Sequence, residues 1–145
     1  MVIGIFGESC TGKSTLAGKL QKRLKARVFT GKDYLRLAKR EPEAKLTFEK
    51  LLNEAMSGEH ILYVISERQH LSLLPKASIR VLVTAELGTI KARFAGRMGG
   101  TLPQPVAAML ERNHGCFDQE PHHVHVRAEA CDLDAACREI EAYLE

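Results

Sequence analysis

Segments with the pattern of short strands alternate with segments of helical pattern along the whole chain. Strands are predicted where short, mostly apolar runs contain β-branched or aromatic residues, at Val2–Phe6, Arg27–Thr30, Ile61–Ile65, Ile79–Thr84 and His123–Val126. Helices are predicted where apolar residues recur at helical spacing, at Ser14–Ala26, Asp33–Lys39, Glu43–Met56, Glu86–Met98 and Val106–His114. Pro42 interrupts the helical pattern, and Asp132 or Asp134 is placed to cap a final helix that ends at Leu144.

This alternation predicts an α/β fold. A strand, a helix and a second parallel strand form a right-handed crossover, so the pattern indicates a five-stranded, mainly parallel sheet with helices on both faces. No repeat, low-complexity tract or linker interrupts the sequence, and we expect residues 1–145 to form a single domain. Ligands bind at the carboxyl ends of the strands in such sheets. Three polar segments fall at those ends: Gly7–Ser14, Thr30–Asp33 and Ser66–Arg68.

The first of these segments has the most specific chemistry. Gly7 to Ser14 matches the pattern G-x-x-x-x-G-K-[ST], and it lies between a predicted strand and a predicted helix. Backbone N–H groups of such a loop surround a phosphate, Lys13 reaches the β- and γ-phosphates, and the Ser14 hydroxyl binds Mg²⁺. The sequence therefore predicts ATP and Mg²⁺ as cofactors. The expected nucleotide-binding residues are Gly7, Glu8, Ser9, Cys10, Thr11, Gly12, Lys13, Ser14 and Thr15.

The composition gives no sign of a nucleic-acid-binding, membrane or secreted protein, and it indicates no further functional site. The net charge of +3 gives no reason to expect a nucleic-acid or membrane partner. No apolar run approaches the ~20 residues that span a bilayer, and the N-terminal residues do not resemble a secretory signal. The four cysteines lack C-x-x-C spacing, which favours a reduced, cytoplasmic protein. A monomer and a homodimer are both compatible with the sequence.

Three further segments follow the phosphate loop. They are Thr30-Gly31-Lys32-Asp33-Tyr34-Leu35-Arg36, Val64-Ile65-Ser66-Glu67-Arg68-Gln69 and Lys91-Ala92-Arg93-Phe94-Ala95-Gly96-Arg97-Met98. In this order, and together with the loop, they resemble the small P-loop kinases of the nucleoside monophosphate kinase group, which includes adenylate and cytidylate kinases. The resemblance implies a three-layer P-loop NTPase fold with a short lid. It also implies an ATP-dependent kinase whose small acceptor is first of all a nucleoside monophosphate.

The resemblance assigns roles on the acceptor side, within a region at about 31–57. Adenylate kinases carry a T-G-D-x-L-R stretch after their second strand, and this chain has a similar stretch with one residue inserted. The match implies that Thr30 helps to seat the acceptor's base and that Arg36 binds its phosphate. Arginine suits this role because its planar guanidinium binds two phosphate oxygens at once.

The end of the third strand departs from the family pattern. The family places an acidic residue there to support Mg²⁺ and then an arginine on the acceptor's phosphate, roles implied here for Glu67 and Arg68. The usual aspartate and glycine directly after the strand are missing. Asp33 is therefore a second candidate for the acidic role, because related enzymes such as shikimate kinase carry an aspartate near the substrate after strand two.

The last segment resembles the start of a lid. Arg93 and Arg97 are four residues apart and share a helix face. Adenylate kinases use a similar pair to hold the ATP phosphates and the transferring group. The resemblance places a lid at about 93–112, with Gly99–Pro105 as its loop and Arg112 at its far end. The implied catalytic residues are Lys13, Arg93, Arg97 and Arg112, with Asp33 as the base if the acceptor is a hydroxyl.

Other functions stay open at this point. A kinase of a hydroxylated metabolite, such as shikimate or gluconate, would use the same donor site with Asp33 as candidate base. A P-loop regulator that binds nucleotide without transfer is the alternative from another class, although the N-K-x-D motif of GTPase switches is absent. Arg127 and Ala128 are candidate adenine contacts. The neighbouring histidines are interpreted as edge-strand residues rather than metal ligands, namely His122, His123 and His125.

Overall fold

Strands and helices alternate as the pattern predicts. The computed structural model describes residues 1–130 and 132–145, which contain five strands and five α-helices. The strands are β1 Val2–Phe6, β2 Arg27–Thr30, β3 Ile61–Ile65, β4 Ile79–Thr84 and β5 Val124–Arg127. The helices are α1 Lys13–Leu24, α2 Glu41–Ala55, α3 Leu87–Arg97, α4 Gln104–Asn113 and α5 Leu133–Ala142. Short 3-10 helices occupy Asp33–Leu37, Arg68–Leu73 and Ala128–Ala130.

The five strands form one parallel sheet in the order β2-β3-β1-β4-β5. At the end of β1, Phe6 is aligned with Ile65 of β3 and Leu82 of β4. Every residue of β1 and β3 is buried, as expected for central strands covered on both faces. The connections after β1 and after β3 lead to opposite sides of β1. The loop after β1 therefore lies where the strand order reverses, which is where such sheets bind ligands.

Helices cover both faces of the sheet and form three hydrophobic clusters. Leu16 of α1 and Ile140 of α5 belong to the cluster on one face, and Phe48 of α2 belongs to the cluster on the other. A third, smaller cluster joins Leu110 of α4 to Cys10 of the phosphate loop. The helix pair α3–α4 thus packs against the loop. No helix within residues 1–130 and 132–145 is both long enough and apolar enough to cross a membrane.

The structure differs from the sequence-based expectation in three local respects. The segment at Asp33 is a 3-10 helix that ends at Leu37, and α2 begins at Glu41 with Pro42 in its first turn. Pro42 therefore starts a helix rather than interrupting one, since an N–H at that position needs no partner. The 3-10 helix at Arg68–Leu73 was not predicted. Of the two candidate caps of α5, the Asp132 carboxylate accepts the N–H groups of Asp134 and Ala135.

Candidate active site

The backbone of the phosphate loop adopts angles that most residues avoid. Gly7 has φ +159° and Gly12 has φ +103°, and Cys10 lies in the left-handed region with φ +64°. A Cβ atom on Gly7 would lie 2.1 Å from the carbonyl oxygen of Val83. The loop is thus pressed against the end of β4. Its alternating backbone angles are of the kind that turn successive N–H groups toward one anion.

Lys13 is the first residue of α1, and its side chain is buried against the loop. Its ammonium group donates to the carbonyl oxygen of Gly7 at 2.8 Å and to that of Glu8. Burial lowers the pKa of Lys13 from its usual 10.5 to about 8, an effect that the Cys10 thiol and the Glu8 carboxylate partly oppose and that the Arg97 guanidinium reinforces. A cation so poorly solvated is strongly attracted to a phosphate.

Three cavities open beside the loop. One, of about 500 Å³, is lined by Glu8 and His114. The other two share Cys10 and Gly12 and are called here the larger and the smaller cavity. The larger has a volume of about 360 Å³ and apolar walls from Leu16, Val83, Val126, Ala128 and Leu133, within the range of small-ligand sites. The smaller, of about 120 Å³, lies between the loop and the ends of β2 and β3, where Thr30 and Ser66 line it. Both cavities are lined by residues of the loop and of α1, namely Cys10, Gly12 and Thr15.

The two arginines of α3 share one helix face, as their spacing predicts, and that face lies beside the loop. Arg93 donates from Nη1 to the carbonyl oxygen of Cys10 at 3.1 Å, and Arg97 lines both cavities. Arg112 does not join them. It lies exposed on α4, lines neither cavity, and forms no ion pair with the described residues. The cavities therefore receive two of the three arginines assigned to the lid.

Hydrogen bonds hold the turn after β2. The N–H of Thr30 donates to the Asp33 carboxylate at 2.9 Å, and the Tyr63 hydroxyl donates to the carbonyl oxygen of Gly31 at 2.8 Å. Burial raises the pKa of Tyr63, so its hydroxyl keeps the proton that it donates. Arg36 is exposed, and its guanidinium carbon lies 5.0 Å from the centre of the Phe29 ring. Asp33 is thus held close to the smaller cavity through Thr30.

Neither Glu67 nor Arg68 lines the smaller cavity, and each has another partner. The Glu67 carboxylate accepts a hydrogen bond from the Gln69 side-chain amide at 3.0 Å. Arg68 forms an ion pair with Glu120 at 3.1 Å. Ser66, directly after β3, lines the cavity instead, and sequence analysis placed it at the strand end without a role. Its position as the first residue after the strand was the available signal.

The Ser14 hydroxyl fits the role of a Mg²⁺ ligand, since it lies at the start of α1 and lines the smaller cavity. Among the described residues that line that cavity, none carries a carboxylate. Glu67 does not line it. Asp33 contacts the cavity wall indirectly, because its carboxylate accepts the N–H of Thr30, which lines the cavity.

Glu8 makes contacts that sequence analysis missed. Its carboxylate accepts from the N–H of Gly115 at 3.1 Å and lies 3.0 Å from Nδ1 of His114. The side chain is only 10% exposed. The motif leaves this position free, so no local signal in the sequence indicates a partner more than one hundred residues away.

The histidines beside β5 have structural partners. Nδ1 of His123 accepts from the N–H of Arg80 at 2.9 Å, and Nε2 of His125 lies 2.8 Å from the Thr84 hydroxyl. Within the described part of the chain, no three His, Cys, Asp or Glu residues are arranged to hold a metal ion. Ala128 lines the larger cavity and Arg127 does not.

Solved structures of kinases share this architecture. A gluconokinase from Sinorhizobium meliloti aligns over 99% of this chain and 90% of its own, with 16% identity and a TM-score of 0.61. A shikimate kinase from Aquifex aeolicus aligns over 99% and 96%, with 16% identity and a TM-score of 0.56. A deoxyadenosine kinase from M. mycoides aligns over 99% and 99%, with 19% identity and a TM-score of 0.59.

The fold is that of the P-loop kinases. The three-layer P-loop fold expected from the sequence is thereby confirmed. No family model and no curated protein matches the sequence. The neighbours act on different acceptors, so the resemblance to nucleoside monophosphate kinases stays a prediction at that level of detail.

Proposed function

We propose that this protein is an ATP-dependent kinase that transfers a phosphoryl group to a hydroxyl of a small acceptor. The main support is the position of Lys13, Arg93 and Arg97 around one loop. The larger cavity lies on one side of this loop, and the smaller cavity, at the ends of β2 and β3, lies on the other. Phosphoryl transfer needs positioning and neutralisation of negative charge more than covalent chemistry from the protein. A protein that only binds a nucleotide and transfers nothing does not need the smaller cavity, which would receive an acceptor.

The residues fit a donor nucleotide in the larger cavity. Its apolar walls accept a base, while the backbone of the loop and Lys13 receive the phosphates. Ser14 would hold Mg²⁺, and the cation would supply positive charge against the phosphates of the donor. Arg93 and Arg97 would approach the same phosphates from α3.

Two features favour a hydroxyl acceptor. Helix α2 is used in the core, where Phe48 packs on Phe29 and Tyr63 with ring centres 5.0 and 4.9 Å away, so the region 31–57 provides little extra surface for a second nucleotide. Asp33, whose carboxylate accepts the N–H of the cavity residue Thr30, would act as the general base. The names of the three kinases described above agree, since gluconate, shikimate and deoxyadenosine carry hydroxyls and no phosphate.

A nucleoside monophosphate is the second candidate acceptor. Its support is Arg36, which is exposed and stacked on Phe29 where an acceptor's phosphate could reach it. Arg68 offers less support, because Glu120 already neutralises it. With this acceptor, Arg36→Ala should raise the acceptor's KM and leave ATP binding intact.

The test is an ADP-release assay with a panel of hydroxy acids, sugars, nucleosides and nucleoside monophosphates. We expect turnover with one of the hydroxyl acceptors, and Asp33→Asn should lower its kcat by about 10²-fold or more because the base is lost. Asparagine can still accept the Thr30 N–H, so the turn should persist. Glu59→Gln, at an exposed ion pair with Arg27, is the control. ATP hydrolysis that ignores every acceptor would contradict the kinase proposal.

The lowered pKa of Lys13 predicts pH-dependent ATP binding. Between about pH 8 and pH 10.5 the folded, nucleotide-free protein has lost a proton that the unfolded chain keeps, so the stability of that state rises with pH across this window. ATP binding needs the protonated Lys13 amine. The Kd for ATP should therefore rise about tenfold from pH 7 to pH 9.

Calorimetric titration of ATP across this pH range measures the effect. Lys22→Ala, which alters an exposed lysine on the same helix, should keep the full pH dependence. Lys13→Ala should bind ATP weakly at every pH and lose the dependence. A constant wild-type Kd from pH 7 to pH 9 would contradict the prediction.

A further inference from the structure

Glu8 connects the phosphate loop to the segment that follows α4. We call that segment, residues 114–120, the 114–120 turn. The Glu8 carboxylate accepts from the N–H of Gly115 at 3.1 Å and lies 3.0 Å from Nδ1 of His114. Gly115 has φ +81°, a backbone conformation that favours glycine. One carboxylate, with 10% of its side chain exposed, thus engages two consecutive residues of the turn.

The main chain of Glu8 holds the lysine. Its carbonyl oxygen accepts from the ammonium group of Lys13 and, at 2.9 Å, from the hydroxyl of Thr11. The side chain and the carbonyl of one residue therefore contact two different parts of the site. A backbone shift that follows loss of the carboxylate contacts would displace the carbonyl that helps to place Lys13.

The 114–120 turn is anchored elsewhere as well. Phe117 is buried and packs on Phe6 at the end of β1, with ring centres 5.8 Å apart. Glu120 pairs with Arg68 at the start of the 3-10 helix after β3. The turn follows α4 directly, and α4 packs with α3 against the loop. Glu8 is therefore a direct link between the phosphate loop and the end of the predicted lid.

Attraction for ATP does not explain a carboxylate at this position. A negative charge in an anion-binding loop opposes the binding of phosphate. Its contacts are instead with an N–H group and an imidazole of the turn. Through these contacts, we expect Glu8 to contribute to function by fixing the position of the loop backbone.

We propose that Glu8 is a positioning residue that couples the 114–120 turn to the placement of Lys13 during transfer. This inference rests on the proposed kinase function. Loss of the carboxylate should reduce kcat and should not weaken the binding of ATP, because a repulsive charge disappears at the same time. A residue that served stability alone would change the unfolding midpoint without this split between kcat and KM.

The test is a set of substitutions measured with ATP and the acceptor that supports turnover. Glu8→Ala should lower kcat about tenfold, with a KM for ATP that is unchanged or lower. Glu8→Gln should lower kcat less, since its amide oxygen can still accept from the N–H of Gly115. Glu59→Gln removes the same charge from an exposed ion pair with Arg27 and should change neither constant.

A double-mutant cycle tests the coupling itself. His114→Ala should lower kcat, and the double variant Glu8→Ala/His114→Ala should be no slower than Glu8→Ala alone, because both changes break the same contact. Multiplied effects in the double variant would overturn the proposal. A Glu8→Ala variant with unchanged kcat and a higher KM for ATP would also overturn it.

Hydrogen exchange separates this proposal from the proposed function. If the wild-type protein transfers no phosphate to any acceptor, the kinase proposal fails, and amide exchange still reports the coupling. His114→Ala should then accelerate exchange in the phosphate loop, and Glu8→Ala should accelerate it in the 114–120 turn. Acceleration confined to the segment that carries the substitution would overturn the inference.

Discussion

Replacing Lys13 with alanine should reduce ATP-dependent turnover by about 10²- to 10³-fold, as loss of one charge-stabilising group in an active site commonly does. Lys13 is the buried cation of the phosphate loop, and its ammonium group is held by the carbonyl oxygens of Gly7 and Glu8. In the proposed reaction it neutralises charge on the β- and γ-phosphates. Arg93 and Arg97 approach from α3 and do not occupy its position.

Steady-state kinetics with the acceptor identified by the panel measure this effect. Lys22→Ala is the matched control, because Lys22 is exposed on the same helix and its loss removes one equal charge from α1. That variant should retain wild-type kcat and KM. A Lys13→Ala protein that remains folded and turns over at the wild-type rate would remove the central support for a kinase.

The fold and the donor site were accessible from the sequence because their signals are local. β1 and β3 are uniformly apolar, and central parallel strands require this. The phosphate loop is set by glycines and a lysine within eight consecutive residues. The shared helix face of Arg93 and Arg97 followed from their spacing, and the resemblance to adenylate kinases implied that this face meets the donor phosphates.

The acceptor side was harder to predict because its geometry depends on distant contacts. Arg68 follows β3 as the family pattern requires, yet it pairs with Glu120, fifty-two residues further along. Glu8 contacts Gly115, which follows the predicted lid in the sequence. Neither Glu120 nor Gly115 belongs to a sequence motif that would indicate these contacts. The position of the 114–120 turn is set by the packing of Phe117 on Phe6, a contact that only the folded chain brings about.

The turn after β2 could be predicted in part. Sequence analysis identified Thr30 and Asp33 as acceptor-side residues, and the structure joins them by one hydrogen bond. The inserted residue relative to adenylate kinases gave no indication of where Arg36 would point. It lies over Phe29.

Replacing Gly7 with alanine should destabilise the protein by about 4 kcal/mol or more, a size that marks disruption of a constrained backbone position. The new Cβ would lie 2.1 Å from the carbonyl oxygen of Val83 and 3.2 Å from its carbonyl carbon. Val83 is a buried residue of β4, so the obstacle is strand backbone and not the movable end of a side chain. On its other side Gly7 donates to the carbonyl oxygen of Ile65 at 3.2 Å.

Relief of the clash would require the loop to move away from β4, and the hydrogen bond to Ile65 opposes that movement. Gly18 provides the control, since a Cβ there meets nothing within 4 Å. Gly18→Ala, inside α1, should stabilise the protein by about 1 kcal/mol through helix propensity. Urea unfolding followed by circular dichroism compares the two variants. Equal midpoints for Gly7→Ala and Gly18→Ala would mean that the contact between the loop and β4 does not constrain the fold. If Gly7→Ala yields no folded protein while Gly18→Ala does, the phosphate loop is a structural part of the sheet edge as well as the proposed donor site.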